Sequence, residues 1–358
     1  MSSGWTSRVI PALELRLEEL GAWDEICRSQ EHLRSPFLSS DYIRAVARSR
    51  PLVYVCVILA GGAPLAFLPF QFRTGLHRLF RAAERVGAEM TDYFGLIAPP
   101  GFAADTQTIL RLARLSHLYF THLDESQLCH GLPAGQPEIG LQVRIRADGE
   151  SYWEHLGRLD HKLVADLNRR ERQLERDYGP IRFCPVEQRW SAPLSNLIAY
   201  KRRQYQRTGR PDLFAVSWRR KLLENLCASG STNCRGVISS LYAGPVWVAS
   251  QLSLCSRQVL HNCFPVYNPA LARYSPGRLL MKSILQSAPS LGVELVDRGA
   301  GDTPAKRDFA NTSHRYYRGA WSIGDGRSAA CRVAYSMVWR AARFRPRTPA
   351  VSSATSAD

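Results

Sequence analysis

Two carboxylates stand where a turn of the chain would present them. Asp302 closes the glycine-rich run Arg298-Gly299-Ala300-Gly301-Asp302 behind an apolar strand, and Asp92 lies in Thr91-Asp92-Tyr93. A carboxylate so placed can take a proton from an attacking nucleophile; Asp302 ranks first in that role and Asp92 second. Each also has a plain structural use, Asp302 as the cap of a short helix over 304–311 and Asp92 as a turn residue. Tyr267, at the end of a strand, is a candidate acid, or an ordinary strand aromatic. His261, in mid-strand, reads as a satisfied core histidine rather than a base. Cys263 shares its face two residues on, a spacing that does not by itself make a base–nucleophile pair. Asp297 reads as an anchor for the glycine-rich loop.

A second kind of chemistry is written in Tyr274-Ser275-Pro276-Gly277-Arg278-Leu279-Leu280-Met281. Ser275 suits a helix N-cap and Pro276 the first helical position. Gly277 lets another group approach the backbone, and the free amides and dipole of a helix start favour a phosphate. Arg278 adds positive charge. The candidate anion site is therefore Ser275, Pro276, Gly277, Arg278 and Leu279; the bland alternative is a plain Ser-Pro helix start.

The elements that must hold these residues follow from pattern. Residues 12–33 carry helical apolar spacing, and Ser39-Ser40-Asp41 opens another helix. Leu52 to Phe72 has no charge, yet Gly61-Gly62, Pro64 and Pro69 make it two buried strands in a hairpin rather than a membrane span. Short strands are expected within 116–146. One long basic helix is expected over 152–178, ended by Gly179-Pro180. A strand over 181–187 and helices over 193–207 and 219–229 follow. Three strands come next (236–243, 246–255, 259–267), then a helix from about 275 to 291, a strand over 293–299, a short helix and a last strand near His314-Arg315-Tyr316-Tyr317. A helix and strand inserted after an antiparallel meander predict an α+β fold with a mixed sheet.

The chain has 358 residues and a formal charge of +16. That length suits two ordinary domains or one large one. Residues 1–150 carry 15 Arg, no Lys and 16 acidic residues, for a charge of −1; the remaining 32 basic and 15 acidic residues give +17. The second half should therefore prefer an anion. The nine cysteines contain no C-x-x-C pair, so neither a zinc ribbon nor a disulfide framework is expected, and no metal site is assigned. P-loop, H-E-x-x-H and G-x-S-x-G motifs are absent, and no dedicated nucleic-acid module is read. The first twenty residues hold no uninterrupted apolar stretch, so no secretory signal is expected.

The ordered set of segments resembles the CelD/BcsL-type acetyltransferases, in the GNAT superfamily and similar to FemAB-like transferases (a BioF2-like acetyltransferase domain). The resemblance spans roughly residues 35–322. It is carried by LSSDYIRAV (38–46), GAEMTDYFGLIAPPG (87–101), the Lys162–Arg176 helix, SLYAGPVWVASQL (240–252), YSPGRLLMKSILQSAPSLG (274–292) and VDRGAGDTPAK (296–306). It implies two fused GNAT-like domains: a degenerate acceptor-side domain over 1–150 and a domain over 151–325 that binds the acyl donor. A basic helix and disordered tail over 326–358 follow. It also implies an acyl-CoA co-substrate, and a role for Lys306 on a phosphate or near the thioester. The family has Tyr-Lys where this chain has Ala305-Lys306, which removes an aromatic from that position.

The function so implied is acyl-CoA-dependent N- or O-acetylation, directly in a ternary complex. The acceptor would be a sugar, nucleotide-sugar or polysaccharide precursor, as in cellulose biosynthesis, and the place the cytoplasm, with peripheral contact at the inner membrane face or a synthase complex. Two alternatives stand beside it. One is FemAB-like transfer from aminoacyl-tRNA, a polyanion suited to the basic half. The other is a non-catalytic protein bound to an anionic membrane through the basic amphipathic stretch 327–345.

Overall fold

The computed structural model describes residues 4–145 and 151–324; the basic segment expected over 326–358 lies outside them. Among the described residues, twelve strands form one mixed sheet. They are β1 (Trp5–Pro11), β2 (Val53–Ala60), β3 (Ala63–Gln71), β4 (Ala82–Glu84), β5 (His117–Asp124), β6 (Gln136–Arg144), β7 (Ile181–Cys184), β8 (Arg235–Ala243), β9 (Val246–Cys255), β10 (Val259–Tyr267), β11 (Leu295–Ala300) and β12 (Thr312–Ser322). The described residues also form ten α-helices: α1 (Leu17–Ser29), α2 (Ser40–Ser49), α3 (Gly75–Leu79), α4 (Thr106–Leu112), α5 (Tyr152–Leu159), α6 (His161–Tyr178), α7 (Ser191–Arg207), α8 (Ser217–Cys227), α9 (Pro276–Ser287) and α10 (Pro304–Arg307).

The order across the sheet is β1-β2-β3-β4-β5-β12-β6-β11-β10-β9-β8-β7. Only β4–β5 and β10–β11 run parallel among the named pairs. The architecture is thus α+β with a mixed sheet, as the pattern predicts. One connection is not visible in the pattern: the last strand, β12, returns to the first half and lies between β5 and β6. The sheet is therefore continuous across residue 150.

The β2–β3 hairpin turns at Gly61 and Gly62, both with positive φ, the conformation that two-residue hairpin turns require and glycine supplies. Alternate residues of β2 serve opposite faces. Val53, Val55 and Val57 join Trp23, Tyr42 and Leu222, Leu223 and Leu226 of α8, while Cys56 and Ile58 pack with Ile109, Phe120 and Trp321. A third cluster sets α6 and α9 on β8–β11, where Leu167, Leu174 and Leu279 are fully buried; each such side chain contributes about 2 kcal/mol.

Two readings change. The single helix expected over 152–178 is two, because the Asp160 side chain accepts from the Leu163 amide and caps a new start; a side chain that bonds its own backbone competes with helix continuation. The strand β1, not read in the sequence, pairs along β2 at the edge of the sheet. Among the described residues no helix is long and apolar enough to cross a membrane.

Candidate active site between the two halves

β10 and β11 pair only from Val259 to His261 against Leu295 to Asp297. Beyond that point they part, and two local features accompany the parting. In β10 the register with β9 shifts between Asn262 and Phe264, so Cys263 stands as a bulge. In β11 Gly299 takes φ +65°, and the strand's pairing with β6 shifts. A bulge bends its strand and leaves backbone groups outside the ladder. The opening between the strands holds a cavity of about 310 Å³. Asn262, Cys263 and Tyr267 of β10, Gly277 of α9, Arg298, Gly299 and Lys306 line one side; Asp92 and His122 of the first half line the other. A cavity of similar size, about 300 Å³, lies at the other end of β10 among Asp24, Arg28, Arg34 and Arg257; none of its lining residues belongs to the charged network described next.

That network begins at His261, which is completely buried. Its Nε2 is 3.0 Å from Asp92 Oδ2 and its Nδ1 is 3.5 Å from Asp297 Oδ1. Burial alone would make the imidazole harder to protonate, but the Asp297 and Asp92 carboxylates outweigh it and raise the ring to about 9. The same attraction reverses the effect of burial on the acids: Asp92 is held at about 2 by the bond and charge of His261, and Asp297 lower still. At neutral pH the core thus contains a carboxylate–imidazolium–carboxylate row.

Asp297 is supported further. Its Oδ2 accepts from the Tyr93 hydroxyl at 2.5 Å and from Gln142 Nε2 at 3.0 Å, and its Oδ1 from the Gly299 amide at 2.7 Å. Burial and the Asp297 charge keep the Tyr93 hydroxyl protonated far above its ordinary range, so it remains a donor. Phe37 meets His261 edge-on at 4.8 Å between ring centres. The segment carrying Asp92 is tied to β5 by the Phe94 amide, which donates to the His122 carbonyl at 2.8 Å.

The residues singled out from sequence divide clearly. Asp92 lies at the cavity wall against His261, and Tyr267 lies at the mouth, 37% exposed. Asp302 lies outside the cavity lining, exposed and paired with Arg307 at 2.9 Å. Ser275 precedes α9, but its hydroxyl makes no cap bond: the residue is left-handed at φ +55°, and its carbonyl instead accepts from the Arg278 and Leu279 amides. Pro276 has no amide, so in this first turn the Gly277 amide has no intrahelical partner. Pro276 itself is buried. Gly277 lines the cavity, and a Cβ built there meets nothing within 4 Å. Arg278 is engaged by Asp308 at 2.6–2.7 Å, and the Leu279 side chain is in the core. Lys306 lines the cavity while donating to the carbonyls of Gly299 and Ala300 at 3.1 and 2.7 Å.

His261 and Asp297 form the centre of the site, beyond the core and anchoring roles that their strand positions suggest. Asp297 does anchor Gly299, as read, in addition to facing His261. Gln142 and His122 carry no local motif, and Tyr93 is marked only by lying beside Asp92 in the 87–101 segment.

Residues 161–307 match the family model described as an acetyltransferase (GNAT) domain. No curated protein matches the chain. The solved structures that resemble it include these three. One is the C-terminal DUF2156 domain of a protein assigned as a lysylphosphatidylglycerol synthetase from Agrobacterium fabrum, with TM-score 0.55 and 15% identity over 90% of this chain and 96% of that one. Another is FemX, with TM-score 0.55 and 8% identity over 92% and 99%. The third is a tandem GNAT protein from the clavulanic acid biosynthesis pathway, with TM-score 0.48 and 13% identity over 90% and 99%. The first two share this chain's fold along its length. The segment 161–307, which holds the parted strands β10 and β11, is thus an acetyltransferase domain of the GNAT type.

Proposed function

We propose that the protein transfers an acyl group from acyl-CoA to an amine or hydroxyl of a sugar, nucleotide-sugar or related polysaccharide precursor, in one ternary complex. The observation that carries this reading is the cavity where β10 and β11 part, with the start of α9 beside it. The Gly277 amide and the dipole of α9 suit the donor's diphosphate. The pantetheine arm would enter the opening with its thioester carbonyl near the bulge at Cys263, where a backbone amide of the strand would polarise it. The acceptor approaches from the wall formed by Asp92 and His122. Its nucleophile bonds to the carbonyl carbon, the carbon–sulfur bond breaks, and the acceptor's proton leaves with the CoA thiol. Holding both reactants in one cleft supplies a large part of the rate. The sugar assignment is supported by the ordered motif set across residues 35–322.

Acetyl-CoA is expected to raise the melting temperature, and Gly277→Asp to abolish that rise. The glycine position is sterically open, so the substitution adds a charge without forcing the fold apart. Absence of a shift with acetyl-, succinyl- or longer acyl-CoA would remove the donor assignment.

A second reading has its own support. The charge of +17 over residues 151–358 suits a polyanion, and the fold is shared with FemX and with the domain of the lysylphosphatidylglycerol synthetase. In that reading the donor is an aminoacyl-tRNA. Charged tRNA and acetyl-CoA offered in parallel, with acyl release followed, separate the two.

A further inference from the structure

A residue from the first half has the attributes of a proton acceptor. In the β5–β12 pair, Leu123 faces Tyr317 and Phe120 faces Gly319, so two residues of β5, Thr121 and His122, stand against one of β12. His122 takes φ +60° there. A side-chain-bearing residue seldom adopts that conformation in a strand, and strained positions of this kind cluster where a side chain must be aimed. His122 is aimed at the cavity, which it lines together with Asp92. Its Nδ1 is 2.8 Å from Thr121 Oγ1, and its Nε2 is 3.8 Å from Asp92 Oδ1. With the proton on Nδ1 and shared with Thr121, Nε2 keeps a lone pair on the cavity side, next to a carboxylate.

Of the other titratable groups of the lining, Tyr267 stands at the exposed mouth and the rest are committed elsewhere. Asp92 holds His261 and is a weak base at about 2. Lys306 donates to two carbonyls, and burial keeps the Cys263 thiol protonated. His261 is fully buried behind Asp92. The groups that act on His122 are Asp92, Arg85, His261 and Arg318, with the Tyr316 ring edge-on at 5.3 Å. Burial, opposed by Asp92 and reinforced by Arg85, brings the ring down to about 4, so it is neutral in the physiological range.

We propose that His122 is the general base, taking the acceptor's proton at Nε2 as the acceptor attacks the thioester, with Asp92 stabilising the imidazolium that forms. The proposal rests on the acyl-transfer reading above. The bond from the acceptor nitrogen or oxygen to the carbonyl carbon forms and the carbon–sulfur bond breaks. The proton held by His122 then passes to the CoA thiolate, which restores the neutral ring. The first half therefore supplies a reacting group to a donor site built by the second.

The test uses the full chain, acetyl-CoA, and hydroxylamine as a small acceptor, with thiol release followed above the enzyme-free rate and acetyl-CoA binding measured separately. His122→Gly suits the left-handed backbone and leaves room for a free imidazole; His122→Asn also tolerates that backbone. Both variants are expected to bind acetyl-CoA as the wild type does and to release thiol about 100-fold more slowly or worse. Added imidazole should restore the glycine variant alone, and restoration should grow with imidazole's free-base fraction between pH 6 and pH 8. Either variant within threefold of wild type overturns the proposal. So does a loss of rate with normal acetyl-CoA binding that imidazole does not repair, and so does a wild type that binds acetyl-CoA yet releases no thiol to hydroxylamine. A wild type that does not bind acetyl-CoA would overturn the donor reading, and this proposal with it.

Discussion

The wall of the cavity built from residues 259–306 and the wall built from residues 92–122 use different materials. On the first, backbone does much of the shaping: the bulge at Cys263, the Gly277 amide, and Gly299 with its positive φ. Its cations spend donors on carbonyls of the same loop, Arg298 on Ala305 and Lys306, and Lys306 on Gly299 and Ala300. On the second wall side chains do the work, and those of Asp92 and His122 are placed by Tyr93, Thr121 and β12. The two walls meet at His261 and at the bond from Tyr93 to Asp297, which is why charge substitutions at the junction should outweigh substitutions on either wall alone.

The largest effect is expected from Asp297→Asn. It leaves the shape of the site but removes a buried charge facing the imidazolium, a change of about 3 kcal/mol in stability. Urea unfolding should show a lower midpoint with an unchanged slope, and acyl transfer should fall by more than about 100-fold because the amide keeps one acceptor oxygen where the carboxylate serves Gly299 with one and Tyr93 with the other. A midpoint like that of the wild type would mean that the two walls are not joined by this charge.

The dependence of stability on pH comes next. Asp92 and Asp297 are held below the ordinary carboxylate range, so their contribution is complete above about pH 4 and is lost as pH falls toward 2. His261 is raised to about 9, so its contribution is complete below about pH 6.5 and is lost as pH rises through 9. Melting temperature should therefore decline on both sides of a plateau near pH 4–6.5. In His261→Gln the alkaline decline attributable to this residue should vanish; an unchanged alkaline limb would place its origin elsewhere.

Gly299→Ala sharpens the comparison at a smaller scale. The added Cβ would lie 3.3 Å from Asp92 Oδ2 and 3.5 Å from His261 Nε2, on a backbone at φ +65°. About 1 kcal/mol of stability should be lost, with roughly a tenfold fall in kcat/KM as Asp92 is displaced. Asp302→Asn should do least. The side chain is exposed and its partner is Arg307, so stability and rate should remain within about twofold of wild type. A large loss of rate there would return the base to the glycine-rich loop.

Local pattern made much of the fold readable. The glycine pair inside an uncharged β-branched stretch gave away the β2–β3 hairpin, and Ser-Pro followed by apolar helical spacing marked α9. Asp160 stopped a helix that apolar spacing alone would continue, since spacing carries no information about capping. For the site, Asp92 stands out as an acid at a turn and Lys306 through the family motif. Their relation to His261 does not, because Asp92 and His261 are 169 residues apart. A buried histidine looks the same in sequence whether it packs or carries charge, and only the carboxylates around it decide. His122 was hidden for another reason: its backbone conformation belongs to a mismatch with β12, a strand nearly two hundred residues later. The Ser275 hydroxyl is the converse case, where a favourable residue type sits at the start of a helix in a backbone conformation that leaves its side chain without a cap bond.

The return of β12 to a place between β5 and β6 also sets an order of assembly. A chain emerging from the ribosome has made both neighbours of that gap long before residue 312 appears. Until then β5 and β6 present unpaired edges, the kind of surface that invites pairing with other chains. The portion synthesised first is finished last, so truncation shortly before β12 should harm the amino-terminal half more than the half from which the residues were cut.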